Sequence, residues 1–69
     1  MYSNNNQIEE VFCDVVLPLP LPQLFTYKVP SQFVEGLQIG SRIIVPFGQR
    51  KFVTGLVRAI HTTAPKNYQ

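Results

Sequence analysis

The chain contains no tryptophan, one cysteine, one methionine and one histidine, and only four of its 69 residues are acidic. Each scarcity excludes something. A single cysteine, Cys13, allows no internal disulfide and no cysteine-based metal quartet, so a reducing, intracellular compartment is the default. One histidine, His61, with no carboxylate pair beside it or beside Cys13, leaves no acid–base or nucleophilic constellation. Glu9 and Glu10 are chain neighbours and point in opposite directions if the backbone is extended. Gly36, Gly40 and Gly48 lack the spacing and the lysine of a phosphate-cradling loop. No basic segment followed by an apolar core marks a signal peptide, and no apolar run approaches a membrane span, so no membrane partner is expected. Cys13 reads as a buried, inert thiol and His61 as a surface histidine.

The hydrophobic content is 45%, which is that of a folded domain. At 69 residues the chain makes one domain at most. A domain of this size buries only about 60% of its unfolded surface. Charge is unevenly placed. Residues 1–27 hold Glu9, Glu10 and Asp14 and no cation, whereas residues 28–69 hold six cations against Glu35 alone. A basic second half favours an anionic partner.

The densest stretch is Gly40–Lys51. Ile43, Ile44 and Val45 are β-branched and favour a strand. Gly40 and Gly48 supply turns before and after it. Pro46 cannot donate to a ladder, which places the strand at an edge or at a bulge. Gln49, Arg50 and Lys51 then form a short hairpin connection, either an anion contact or a solvated tip.

Around that unit, a polar tail over residues 1–10 leads into a first strand over 11–17, with Asp14 marking a partly wet face. Pro18, Pro20 and Pro22 impose extended geometry. That segment is either a ligand for proline-recognising modules or, preferably, a stiff crossing whose Leu19 and Leu21 pack on the domain. A second strand covers 24–29, and Pro30 stops it. Residues 31–37 have room for one helical turn capped by Ser31. The third strand covers about 41–47 and the fourth about 52–60. In the fourth, Gly55 implies a bulge, a bend or close backbone approach. The expected fold is all-β: a small antiparallel barrel or rolled sheet of about four strands, with at most one short helical turn. Four strands are few for closure, so the sheet is open, or a partner closes it, or, as preferred here, the chain is a truncated part of a larger domain.

Phe25, Tyr27, Phe47 and Phe52 lie near Lys28, Arg50 and Lys51 in the sequence. Aromatic faces beside cations suit unpaired bases and their phosphates. Tyr27 and Phe52 are assigned to the core, and Phe25 and Phe47 to the surface. These residues alone leave nucleic-acid binding and protein–protein contact equally open.

Asp14-Val15-Val16-Leu17-Pro18-Leu19-Pro20-Leu21, then Phe25-Thr26-Tyr27-Lys28-Val29-Pro30, then Gly40-Ser41-Arg42-Ile43-Ile44-Val45-Pro46-Phe47-Gly48 and Thr54-Gly55-Leu56-Val57 together resemble the extreme N-terminus of the PriA family of primosomal replication-restart DNA helicases. The resemblance covers about residues 11–60. It implies a 3′ DNA-binding domain that recognises the 3′ end of the nascent leading strand at a stalled fork, in the bacterial cytoplasm at the nucleoid. Phe25 and Thr26 match the phenylalanine of the terminal-nucleotide pocket and the residue after it, which is an aspartate in well-known members. Thr26 still accepts a hydrogen bond but carries no charge, so charge-based rejection of a 3′ phosphate is not implied. Gly48 matches the glycine that lets the nucleotide approach the backbone. Arg50 and Lys51 are the phosphate contacts. The family's pocket lysine lies beyond the fourth strand, and Lys66 is not assigned to its role.

As a domain fragment the chain is expected to need no cofactor and to unwind nothing. ATP, magnesium and zinc are implied for the full-length family helicase, as are contacts with other primosome proteins and single-strand-binding protein. The alternative is a protein-interaction module that self-associates, for example as a homodimer, through open sheet edges.

Overall fold

A computed structural model describes residues 9–21 and 23–65; most of the polar tail expected over residues 1–10, and Lys66, lie outside these. Four strands form one antiparallel sheet: β1 (Val11–Leu17), β2 (Gln23–Val29), β3 (Arg42–Pro46) and β4 (Phe52–His61), in spatial order β2-β1-β4-β3. The sheet is not closed into a barrel, so β2 and β3 are its edges. Pro46 ends β3 at one of those edges, where its missing N–H costs the ladder little.

One face of the sheet is the core. Cys13, Val15 and Leu17 of β1 stand against Tyr27 and Val29 of β2, Val45 of β3 and Val57 of β4. The period-two alternation of each strand supplies these residues, since every second side chain points inward. The sheet curls enough for its edges to meet through one bond. The Tyr27 hydroxyl on β2 donates to the Pro46 carbonyl on β3 at 2.9 Å. Below this bridge a groove of about 570 Å³ separates the two edges, lined by residues that include Cys13, Val29, Leu37 and Val45.

Gly55 resolves to close approach. A Cβ there would collide with Val15 Cγ1 and lie 2.8 Å from Leu17 Cδ2. The irregularity in the β1–β4 ladder falls elsewhere: Asp14 pairs with Ala59 but Val15 with Val57, so Arg58 is the extra residue. That bulge reverses the facing of β4 beyond Val57 and brings His61 onto the same face as Asp14.

Three local expectations are corrected. The only helical turn among the described residues is a 3₁₀ turn over Ser31–Phe33; Pro30 holds the cap position and no side chain caps it. The proline segment sends Leu19 onto the core while Leu21 stays exposed. Phe52 is not core: it is 71% exposed. Its partner across the ladder is Pro46, and it shares the outer face with Thr54 and Leu56, opposite Val53 and Val57.

Candidate nucleic-acid interface

Three of the expected site residues, Gly48, Arg50 and Lys51, fall on the β3–β4 hairpin. Phe47 N–H donates to the Lys51 carbonyl at 3.0 Å, leaving Gly48, Gln49 and Arg50 as a three-residue tip. Gly48 has φ 72° and Arg50 has φ 62°, both in the left-handed region. Three-residue hairpin loops close through such a residue, and glycine usually fills it. At Gly48 a Cβ would meet nothing within 4 Å, so the backbone there faces open space. Arg50 and Lys51 are exposed, and among the described residues no carboxylate forms an ion pair with either. Lys28, by contrast, is held by Glu10 at 2.7 Å.

Phe25 and Phe47 meet beside this tip. Their ring centroids are 5.2 Å apart with an interplanar angle of 71°, an edge-to-face pair. Both are half-buried and pack on the edge of the core. Phe25 comes from the edge strand β2 and Phe47 follows the edge strand β3, so the pair spans the two sheet edges next to Gly48.

Thr26 is elsewhere. It follows Phe25 on a strand and therefore points to the opposite face. There its hydroxyl donates to Asp14 Oδ1 at 2.8 Å, across the β1–β2 pair in which Asp14 and Thr26 are direct partners. His61 Nε2 lies 3.0 Å from the same oxygen. A carboxylate only accepts, so that nitrogen carries the proton. His61 Nδ1 is buried without a partner, and the ring stacks on Phe12 with centroids 6.3 Å apart. His61 is thus a half-buried, bonded residue and not the free surface histidine that its position at a strand end implied; the bulge at Arg58 turns it onto the face that carries Asp14. Desolvation pushes the Asp14 carboxyl up, but the hydrogen bonds from His61 and Thr26 and the interaction with the His61 charge outweigh it and hold it below the usual carboxylate range.

The structure therefore sets Phe25 against Phe47, the residue before Gly48, with Arg50 and Lys51 following in the same hairpin, and puts Thr26 on the reverse side of β2. It also presents two features that the sequence reading passed over. Phe52, next to Lys51, is an exposed aromatic on the outer face. Its phase with Thr54 and Leu56 was the available signal. The Asp14–Thr26–His61 cluster left no such signal, because it depends on strand pairing and on a bulge. No group of three or more His, Cys, Asp or Glu among the described residues could hold a metal ion, and none of their helices is long and apolar enough to cross a membrane.

An open antiparallel sheet with an aromatic pair at its edge and exposed cations on the adjoining turn is an arrangement that suits a small nucleic-acid-binding β domain. The family is given by comparison. The family model described as the PriA 3′ DNA-binding domain (3′BD) matches residues 14–69, and the chain belongs to that family. It is a DNA-binding domain of the PriA type. Replication restart protein PriA of Haemophilus influenzae is 54% identical over 39 residues, which cover 56% of this chain and 5% of the relative. The match thus spans a small fraction of that curated relative's length. No solved structure matches.

Proposed function

We propose that this domain binds the 3′ end of a DNA strand, as at the nascent leading strand of a stalled fork, and that it serves within a longer replication-restart protein with ATP-dependent helicase activity. ATP, magnesium and zinc belong, on this reading, to the parts of that protein outside this domain. The observation that carries the reading is the Phe25–Phe47 pair next to the open backbone at Gly48. A base at a strand terminus can lie against the aromatic wall while its sugar approaches the glycine. An internal nucleotide would have to route backbone past the same wall in both directions. Arg50 and Lys51 contact the phosphates that follow. Thr26, one residue from Phe25, is reached from the same sheet edge and accepts from a terminal hydroxyl through its oxygen.

The test is fluorescence anisotropy with forks that differ only at the leading-strand end: recessed 3′ end present, or absent. The domain binds the first more tightly. Phe25→Ala weakens that preference by roughly 5- to 150-fold, the range of one lost base–aromatic stack of about 1–3 kcal/mol. Circular dichroism of the variant separates this from unfolding, and Phe25→Leu retains the packing while removing the ring. Equal affinity for both forks, unaltered by either variant, defeats the reading.

A second reading, a protein-docking module, has its own observation. Leu24, Ile44, Phe52 and Leu56 are exposed on the outer face. Affinity for DNA that ignores salt, together with a concentration-dependent dimer in light scattering, would favour it over the first.

A further inference from the structure

We propose that the outer face of the β3–β4 hairpin is a further DNA surface, on which an unpaired base stacks on Phe52 while Arg42 contacts the phosphate backbone farther along the same strand. The inference rests on membership of the DNA-binding family and not on the 3′-end reading. Phe52 is 71% exposed, more than any other aromatic residue among those described. Its ring is not part of the Phe25–Phe47 wall. Those two pack on the core, whereas Phe52 stands on the opposite face, across the ladder from Pro46. The outward pairs that follow are Ile44 with Thr54 and Arg42 with Leu56. All four side chains are exposed, so the lane beyond the ring is open. From Phe52 to Leu56 it runs four residues of strand, about 14 Å.

Charge selects the occupant. Residues 40–61 hold Arg42, Arg50, Lys51 and Arg58 and no acid. Arg50 and Lys51 stand at the end of the lane next to Phe52, and Arg42 stands at the other end. The acid that shares the outer face, Asp14, lies beyond the lane on β1, opposite Ala59, and is engaged by Thr26 and His61. Two copies of the chain laid face to face here would set the cations against one another, an arrangement that like charges oppose. A polyanion instead gains from each of them. A duplex keeps its base faces stacked inside, so the exposed ring offers it little. A single strand has bases free to lie on a phenyl face, whatever their identity. Single-stranded DNA is therefore the ligand that uses both the ring and the cations.

The experiment titrates the chain with a closed circle of single-stranded oligothymidylate, which has no end for a terminal-nucleotide site, and follows anisotropy at low salt. The native chain binds the circle, and Phe52→Ala weakens that binding roughly 5- to 150-fold, the range of one lost stack. Phe52→Leu retains an apolar side chain without a ring and binds as poorly. Native affinity in the alanine variant overturns the proposal. So does native affinity in the leucine variant, which assigns the face to apolar docking of a protein, and so does a native chain that ignores the circle. Arg42→Gln flattens the logarithmic salt dependence by about 0.7, the signature of one single-strand phosphate contact, and an unchanged slope rejects that contact. Should the smaller variants fail to fold, Phe52→Trp decides. The chain has no other tryptophan, so emission reports from this position alone. Binding of the circle quenches it through the stacked base, and binding without quenching overturns the proposal. The two readings fail separately. Forks with and without a recessed 3′ end that bind equally defeat the 3′-end reading, whereas circle binding indifferent to Phe52 defeats only this surface.

Discussion

Arg50 occupies a backbone conformation that its side chain does not favour, with φ 62° at the tip of a hairpin. A non-glycine residue there costs about 1–2 kcal/mol relative to ordinary backbone. Glycine would remove that cost and add back about 0.5–1 kcal/mol through its freer unfolded state. Arg50→Gly should therefore leave stability unchanged or raise it by up to about 1.5 kcal/mol. It should nevertheless weaken DNA binding and flatten the logarithmic salt dependence by about 0.7–0.9, the signature of one lost phosphate contact. Stability and affinity moving in opposite directions in paired melting and titration curves would identify the residue as retained for binding. Asp14 gives a second outcome at this scale. Its folded carboxyl sits below the usual range, so its contribution to stability is complete above the unfolded carboxylate value of about 3.9 and is lost as pH falls through the lower folded value. Acid titration of unfolding should show this loss below about pH 4, and Asp14→Asn should diminish it. Cys13 needed no structure to interpret: a lone thiol in an apolar alternation is buried here, and burial, then the charge of Asp14, pushes its ionisation up.

The strands were legible in the sequence because each carries alternation bounded by a breaker. Pro18 ends β1, Pro30 ends β2, and Gly40 and Gly48 flank β3. What alternation could not show was facing. Phe52 belongs with Thr54 and Leu56, and only the habit of placing phenylalanine inside put it in the core; it is 71% exposed. His61 illustrates the deeper difficulty. Counting in twos along β4 gives the wrong face beyond Val57, because Arg58 is an extra residue against β1 and local sequence does not announce it. Likewise Phe25 and Thr26 read as neighbours in one pocket, whereas adjacent positions on a strand face apart. Gly55 was visible as an anomaly, and the ladder explains it. β4 crosses β1 there so closely that Gly55→Ala must displace Val15 and Leu17, both fully buried. Overpacking of that kind costs about 1–3 kcal/mol, which chemical denaturation should register as a lower midpoint with little change in slope.

At the scale of the molecule, the sheet leaves two edges, and edges invite other chains. The β3 edge looks hazardous, since Ile43, Ile44 and Val45 form an apolar β-branched run and Ile44 is 71% exposed. Pro46 sits at the end of that run, and its carbonyl is engaged by Tyr27 while its nitrogen has nothing to offer a newcomer. A proline at the end of an apolar edge run is suited to act as a gatekeeper against fibril growth. Replacing it with valine keeps the carbonyl and extends the sticky run by one residue. Pro46→Val should drive the protein toward thioflavin-positive polymer at concentrations where the parent remains clear, and a variant that stays dispersed under the same conditions would show that the fold needs no such sentry.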